Sequence, residues 1–388
     1  MRCRHAESCP ARTAAASSRI FYAAPRFVTS SRDQDGVGFT ADIGSTTLAV
    51  ELYNLRTGEK LSKDGCINPQ SQISADVVGR IAFAEKPCGL ETLQTSVLEA
   101  LEALLSSVCA KAGISPATLS DGIVTGNTVM LHILFGKSPS SLGHWPFNAE
   151  WLAGCDETLL GYRVWVPPCI GAFTGADLTC ALINAGFDSN GPAALLCDIG
   201  TNSEIAIRKG DEIFVASTAA GPAFERTGIR GSELLDTVAM FLGSGAISAT
   251  GAIETDELTL NDGRTLSNGD IRAVQTAKAA IAAGISILLE KAEITDGDIT
   301  EVFLAGGFGS ALNPVSAIAI GMIPPAPLAK KTPLGNAALS GAATLLLNPH
   351  RAKNALALAR KAKLIELGGD ADFSERFIKA LTFAPTPL

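Results

Sequence analysis

Charge is scarce in this sequence. Lys, Arg, Asp and Glu make up 18% of its 388 residues, against 47% hydrophobic residues. Such a chain buries a core, which excludes a disordered protein. The net charge of −8 and a pI of about 5.2 exclude a general electrostatic grip on nucleic acid. Gly is plentiful, at 38 residues, but follows no triplet period, so collagen is excluded. No pair among the nine cysteines is spaced C-x-x-C, and no second ligand pair joins Cys3, His5 and Cys9. A zinc finger or a local iron–sulphur motif is therefore absent. The cysteines read as reduced thiols used as small core residues. Long unbroken apolar runs are missing too. The longest uncharged stretch, between Glu301 and Lys330, is interrupted by Gly306, Gly307, Gly309, Pro314, Gly321, Pro324, Pro325 and Pro327. That density of breakers excludes a spanning helix. Ala279–Leu289 suits a core helix. No membrane partner and a cytoplasmic location are expected.

Residues 1–37 differ from the rest. Arg2, Arg4, Arg12, Arg19, Arg26 and Arg32 stand among Ala and Ser, which resembles a transit peptide or an extension from an upstream start codon. This stretch is read as a disordered leader or non-native extension. At about 150 residues per domain, the remainder suits two domains.

Two segments within it are alike: Phe39–Asn54, FTADIGSTTLAVELYN, and Ala194–Arg208, ALLCDIGTNSEIAIR. Each reads as strand, tight turn and strand. A carboxylate at a strand end, Asp42 or Asp198, can hold a metal ion or its waters. The following glycine and hydroxyls, Gly44, Ser45, Thr46 and Thr47 or Gly200, Thr201 and Asn202, can cradle phosphate oxygens. One such turn is ordinary; two, one per half, indicate a duplicated device. Around them the pattern predicts helices near Ala75–Glu85, Leu90–Ala112, Gly175–Ala185, Asp270–Lys291, Asn336–Leu347, Arg351–Ala362 and Asp372–Leu381. Strands are predicted at Gly122–Thr125, Val164–Val166, Glu212–Ser217, Glu301–Leu304 and Leu364–Leu367. Asn190–Gly191–Pro192 is the boundary candidate. A third motif, Ala305-Gly306-Gly307-Phe308-Gly309, ends a buried strand in glycines. This allows a base or ribose to approach the backbone. It lacks the dinucleotide fingerprint, and no Walker signature occurs.

The ordered set of three motifs resembles the acetate kinase, sugar kinase, heat-shock chaperone and actin (ASKHA) superfamily. The resemblance implies an α/β actin-like fold of two ribonuclease-H-like domains, 38–190 and 191–388, around a nucleotide cleft. It implies that Asp42, Gly44, Ser45, Thr46 and Thr47 meet the terminal phosphates of ATP. Asp198, Gly200, Thr201 and Asn202 would serve Mg²⁺ or the attacking water, with Asp42, Asp198 and Thr201 the catalytic set and the two aspartates at the metal. Gly306, Gly307 and Gly309 would meet the adenosine. Gly126 and Asn127, like Gly335–Ala338, would lie at the interdomain connectors.

A narrower resemblance covers nearly all of Gly38–Pro385. Asn68–Arg80 (NPQSQISADVVGR), Gly126–Gly136 (GNTVMLHILFG), Gly221–Glu225 (GPAFE), Asp270–Gly284 (DIRAVQTAKAAIAAG) and Phe373–Phe383 resemble the ATPase domain of the reductive activators of corrinoid proteins. The resemblance implies an ATPase that drives cob(II) to cob(I) in a corrinoid protein or corrinoid methyltransferase. It also implies a homodimer. Members usually carry an iron–sulphur domain. No such cluster is expected from these cysteines: either a separate ferredoxin-like protein is the donor, or the chain is a fragment of a longer gene product, or the activity is lost. Two other classes stay open: a small-molecule kinase of the superfamily, and a non-catalytic ATP-binding regulatory module.

Some residues have two readings each. Glu204 and Glu225 orient water or pair on the surface. Arg226 and Arg230 contact phosphate or a partner, or are solvated. Lys278 reaches the nucleotide or faces solvent. His132 is a packed histidine rather than a ligand. Trp145, Phe147 and Trp151 pack a domain or present a partner surface.

Overall fold

The computed structural model describes residues 36–221, 231–306 and 312–383. Two six-stranded sheets carry the fold. The first runs β3-β2-β1-β4-β6-β5, from β1 (Val37–Ile43), β2 (Thr47–Asn54), β3 (Lys60–Ile67), β4 (Leu119–Gly126), β5 (Cys155–Leu159) and β6 (Tyr162–Val166). The meander β1–β2–β3 is antiparallel, while β4 and β6 join parallel to β1. A parallel partner needs a long crossover. It comes from α1 (Val77–Ala84) and α2 (Gly89–Ala112). On α2 the buried residues Leu93, Val97, Leu101, Leu104, Leu105 and Val108 recur at helical spacing and lie against β2 and β3. A short helix, α3 (Thr128–Leu134), follows β4 and is buried throughout.

The second sheet repeats the plan: β13-β12-β7-β8-β9-β14. Its meander is β7 (Gly191–Asp198), β8 (Ser203–Gly210) and β9 (Glu212–Thr218); β12 (Glu301–Ala305) and β13 (Lys330–Gly335) add in parallel. The edge strand β14 is Lys363–Leu364, and β10 (Glu257–Thr259) pairs with β11 (Thr265–Ser267) as a separate hairpin. The helices of this half are α5 (Gly231–Gly243), α6 (Asn268–Lys291), α7 (Pro314–Ala319), α8 (Ala337–Leu347), α9 (Ala352–Lys361) and α10 (Ala371–Ala380). The α6 helix starts at a reciprocal Ser267–Asp270 capping box and buries one face on the sheet.

The halves are not independent in packing. Helix α8, late in the chain, lies against β1 and β4 of the first sheet and crosses α4 (Ala176–Asn184). The crossing is so close that a Cβ on Gly341 would fall 1.9 Å from the Cys180 carbonyl oxygen. One core cluster therefore contains Tyr53, Ile123 and Trp165 of the first sheet, Leu178 and Leu182 of α4, Leu196 of β7 and Leu345 of α8.

Differences from the sequence reading are local. The expected strand Leu364–Leu367 is the two-residue β14 and then a 3-10 turn, Leu367–Gly369, where two adjacent glycines disfavour extension. Gly191 opens β7, and the ladder shifts register between Gly191 and Ala194, which accommodates the missing N–H of Pro192. The sequence pattern did not reveal β5, β13 or α5. Helices α2 and α6 are long and apolar enough to cross a membrane, but each packs on a sheet of this fold. Cys109, Cys169, Cys180 and Cys197 are buried free thiols, and Cys66 and Cys155 are half-buried free thiols. Cys88 is disulfide-bonded, unlike the expected reduced thiol. Residues 1–35 lie outside the described residues.

Candidate active site

Both β1–β2 and β7–β8 turns open into one cleft of about 600 Å³. Its lining includes Asp42, Gly44, Ser45, Thr46, Thr47, Asn127, Asp198, Gly200, Thr201, Asn202 and Gly306. All these residues were singled out from the sequence. Gly126 is not part of the lining. It is the last residue of β4, paired in register with Ile43, and it packs behind the first turn. Gly307 and Gly309 lie outside the described residues, as do Glu225, Arg226 and Arg230.

The turns meet across the cleft. The Thr46 and Thr201 hydroxyl oxygens are 3.2 Å apart. The first turn is closed by Gly44 N–H donating to the Thr47 carbonyl at 3.0 Å. Asn336 caps α8 by accepting from Leu339 N–H and donates from Nδ2 to Asp42 Oδ2 at 2.8 Å. Thus the helix that welds the halves also orients the first aspartate. Gly306 has φ +94°, and a Cβ there would lie 2.3 Å from the Ile199 carbonyl oxygen and 2.8 Å from Asp198 Oδ1. Only glycine lets β12 end so close to the second turn.

The cleft is acidic. Asp42 and Asp198 are joined by Asp177, in the first turn of α4, and by Glu204, opposite Asp198 on β8. Desolvation pushes Asp42 up to about 6, against the opposing Asn336 bond. Desolvation, then the charge of Asp42, pushes Asp177 up to about 7. Desolvation, then Asp177 and Asp42, pushes Asp198 up to about 8. Glu204 is held well above the usual carboxylate range, again first by desolvation. Among the described residues lining the cleft none is Lys or Arg. Gathered carboxylates with no cation nearby suit a site completed by a metal ion. Among the described residues no three His, Cys, Asp or Glu side chains are grouped for direct metal ligation. Mg²⁺, which keeps several waters and takes one or two carboxylates, fits that spacing.

The sequence reading missed Asp177, whose signal was an acid in a helix's first turn after Thr174-Gly175. It weighed Glu204 between orienting water and pairing on the surface; Glu204 is only 7% exposed and lines the cleft. Lys278 neither faces solvent nor enters the cleft: it is buried, donates to the Thr382 carbonyl and lies 5.6 Å over the Phe383 ring. His132 is packed, with Nδ1 at 2.8 Å from the Thr128 carbonyl and its ring edge-on to Trp151. The three aromatics separate: Trp151 packs on His132 and Phe135, while Trp145 is exposed and touches Phe147. A second cavity, about 660 Å³, lies between α6, α7 and α10, but its charged residues Glu375 and Lys379 pair with each other.

Two sheets that share a five-strand order, each sending a D-I-G turn into a shared acidic cleft, define an actin-like ASKHA protein. Residues 37–190 match the family model described as the RACo middle region. Residues 192–230 and 225–388 match the C-terminal domain of RACo, the ASKHA domain. The chain belongs to the RACo family. It is 29% identical over 417 residues to the corrinoid activation enzyme RamQ of Eubacterium limosum, which covers 89% of this chain and 70% of that protein. It is 24% identical over 272 residues to the [Co(II) methylated amine-specific corrinoid protein] reductase of Methanosarcina barkeri, covering 55% of this chain and 49% of that one. The solved structure of a reductive activator for corrinoid,iron-sulfur protein superposes with a TM-score of 0.83 at 27% identity, over 91% of this chain and 67% of that chain.

Proposed function

We propose that this chain is an ATP-hydrolysing activator that drives reduction of a corrinoid protein from cob(II) to cob(I). The observation that carries the reading is the convergence of both turns and four carboxylates on one cleft, in a chain of the RACo family. The backbone N–H groups of Ser45–Thr47 and Thr201–Asn202 receive the phosphates of ATP. Asp42 and Asp198 would hold Mg²⁺ or its waters, where the ion would supply charge neutralisation for the phosphates. Asp198 and Glu204 orient the attacking water, with Thr201 beside it. Gly306 lets the adenosine approach β12. Water displaces ADP from the γ-phosphate, and closure of the halves about the shared helices transmits the event to the partner. The electron comes from an iron–sulphur donor, and the corrinoid cobalt accepts it.

The test mixes the protein, MgATP, a low-potential iron–sulphur donor and a cob(II) corrinoid protein, and follows cob(I) by its absorbance. Cob(I) formation that needs ATP and stops with a non-hydrolysable analogue is expected. Phosphorylation of a small molecule without any corrinoid protein would instead identify a kinase. Binding without turnover in the complete mixture would identify a regulatory module.

A further inference from the structure

Among the described residues Arg80 is the largest fully buried charged side chain. Its guanidinium donates from Nε and Nη2 to the Ser74 carbonyl at 3.2 and 3.1 Å, from Nη2 also to the Ser45 carbonyl, and from Nη1 to Met130 Sδ at 3.0 Å. No carboxylate among the described residues forms an ion pair with it. Asp76, the acid whose charge it feels, uses Oδ1 to cap α1 through Gly79 N–H at 2.8 Å. A buried, unpaired cation is costly, and such a group marks a position where a negative charge is to be met.

The position is the back of the first turn. Asn68, also fully buried, donates from Nδ2 to the Gly44 carbonyl and from its backbone N–H to the Thr46 carbonyl, both at 2.8 Å. One segment, Asn68–Arg80, therefore holds three consecutive carbonyls: Gly44, Ser45 and Thr46. In a trans peptide the C=O and the following N–H point in opposite directions. Holding these oxygens from behind turns the N–H groups of Ser45, Thr46 and Thr47 toward the side that lines the cleft. The described lining supplies four acids and no Lys or Arg, and Arg80 sets a fixed positive charge directly behind this turn, on the Ser45 carbonyl. Burial lowers the Arg80 pKa to about 10, which leaves it charged at neutral pH.

We propose that Arg80 is a positioning residue of the nucleotide site. With Asn68 it sets the three peptides of the first turn as an anion cradle, and it supplies the buried charge that favours terminal phosphates there. The inference rests on the reading of the cleft as an ATP site. The test measures binding of MgATP and of AMP to wild type, Arg80→Lys and Arg80→Met, with each melting temperature recorded without nucleotide. AMP reports the adenosine end and lacks the terminal phosphates. ATP affinity is expected to fall by a factor of about three in Arg80→Lys, which keeps the charge and one bond, and about thirtyfold in Arg80→Met, with AMP affinity unchanged. Equal ATP affinity in the folded variants, or parallel loss of ATP and AMP, overturns the proposal. If Arg80→Met does not fold, Arg80→Lys alone decides it on the same two ligands. Failure of the wild type to bind ATP would overturn the reading of the cleft itself.

Discussion

The two D-I-G turns have nearly the same sequence, yet their registers differ by one residue, Asp42 pairing with Ala49 and Asp198 with Glu204, and the protein treats them differently. The first is scaffolded: Asn68 and Arg80 hold its carbonyls, and Asn336 holds Asp42. The second is held mainly by backbone groups, including Ile199 N–H donating to the Ala305 carbonyl at 3.0 Å. Ser203 Oγ donates to the Gly200 carbonyl at 3.2 Å, and the Thr201 carbonyl accepts from Gly221 N–H at 2.9 Å. Asp198 faces Asp177 and Asp42 without an amide like that of Asn336, so its pKa is pushed to about 8 against about 6 for Asp42. On the proposed reading, the duplicated motif has become one turn fixed to receive a ligand and one carboxylate poised to exchange a proton or bind a cation.

The largest expected effect is on that division. Asp198→Asn should lower ATP hydrolysis by about 100-fold or more while changing ATP affinity less, since the lost group acts on metal and water. Asp42→Asn should lose a greater share of its effect in binding. Steady-state hydrolysis together with equilibrium binding separates the two, and identical splits would remove the proposed division.

A second effect appears in stability. Each cleft acid has a folded-state pKa above its unfolded value of about 4, so the folded protein retains protons the unfolded chain has lost. Stability of the nucleotide-free protein therefore falls as pH rises from about 4, through about 6 at Asp42, about 7 at Asp177 and about 8 at Asp198. Melting temperatures between pH 5 and 9 should show this decline. Asp198→Asn should flatten it over the whole span up to about pH 8, and Asp42→Asn only up to about pH 6. Equal flattening would mean the turns are electrostatically alike.

The smallest effect concerns the bridge between them. Thr46→Val removes one hydroxyl of the 3.2 Å contact to Thr201. It should cost about 0.5–1.5 kcal/mol of ATP binding, measured calorimetrically, with little change in melting temperature.

Much of the site was legible in the sequence because its chemistry is local. Asp42 and Gly44, or Asp198 and Gly200, stand close along the chain, and a strand–turn–strand pattern fixes how they point. Asp177 and Glu204 were harder to place, since an acid in a helix's first turn or on a strand gives no local sign of what it faces. Arg80 lay within a segment recognised by resemblance, but its partners Ser45 and Met130 are remote in sequence. The helices α2 and α6 were readable from apolar spacing; β13, Lys330–Gly335, has no alternation to reveal it and forms because β12 offers a parallel edge.

By itself the sequence determined the two hairpins, the turn chemistry and the α/β class, because short-range sterics and hydrophobic period set these. Tertiary structure alone decided that α8 from the end of the chain would weld onto β1 and β4, that Asn336 would reach Asp42, and that four acids would share one cleft. Those outcomes depend on long-range packing, where apolar faces choose partners and polar groups are carried to whatever the packing places opposite them.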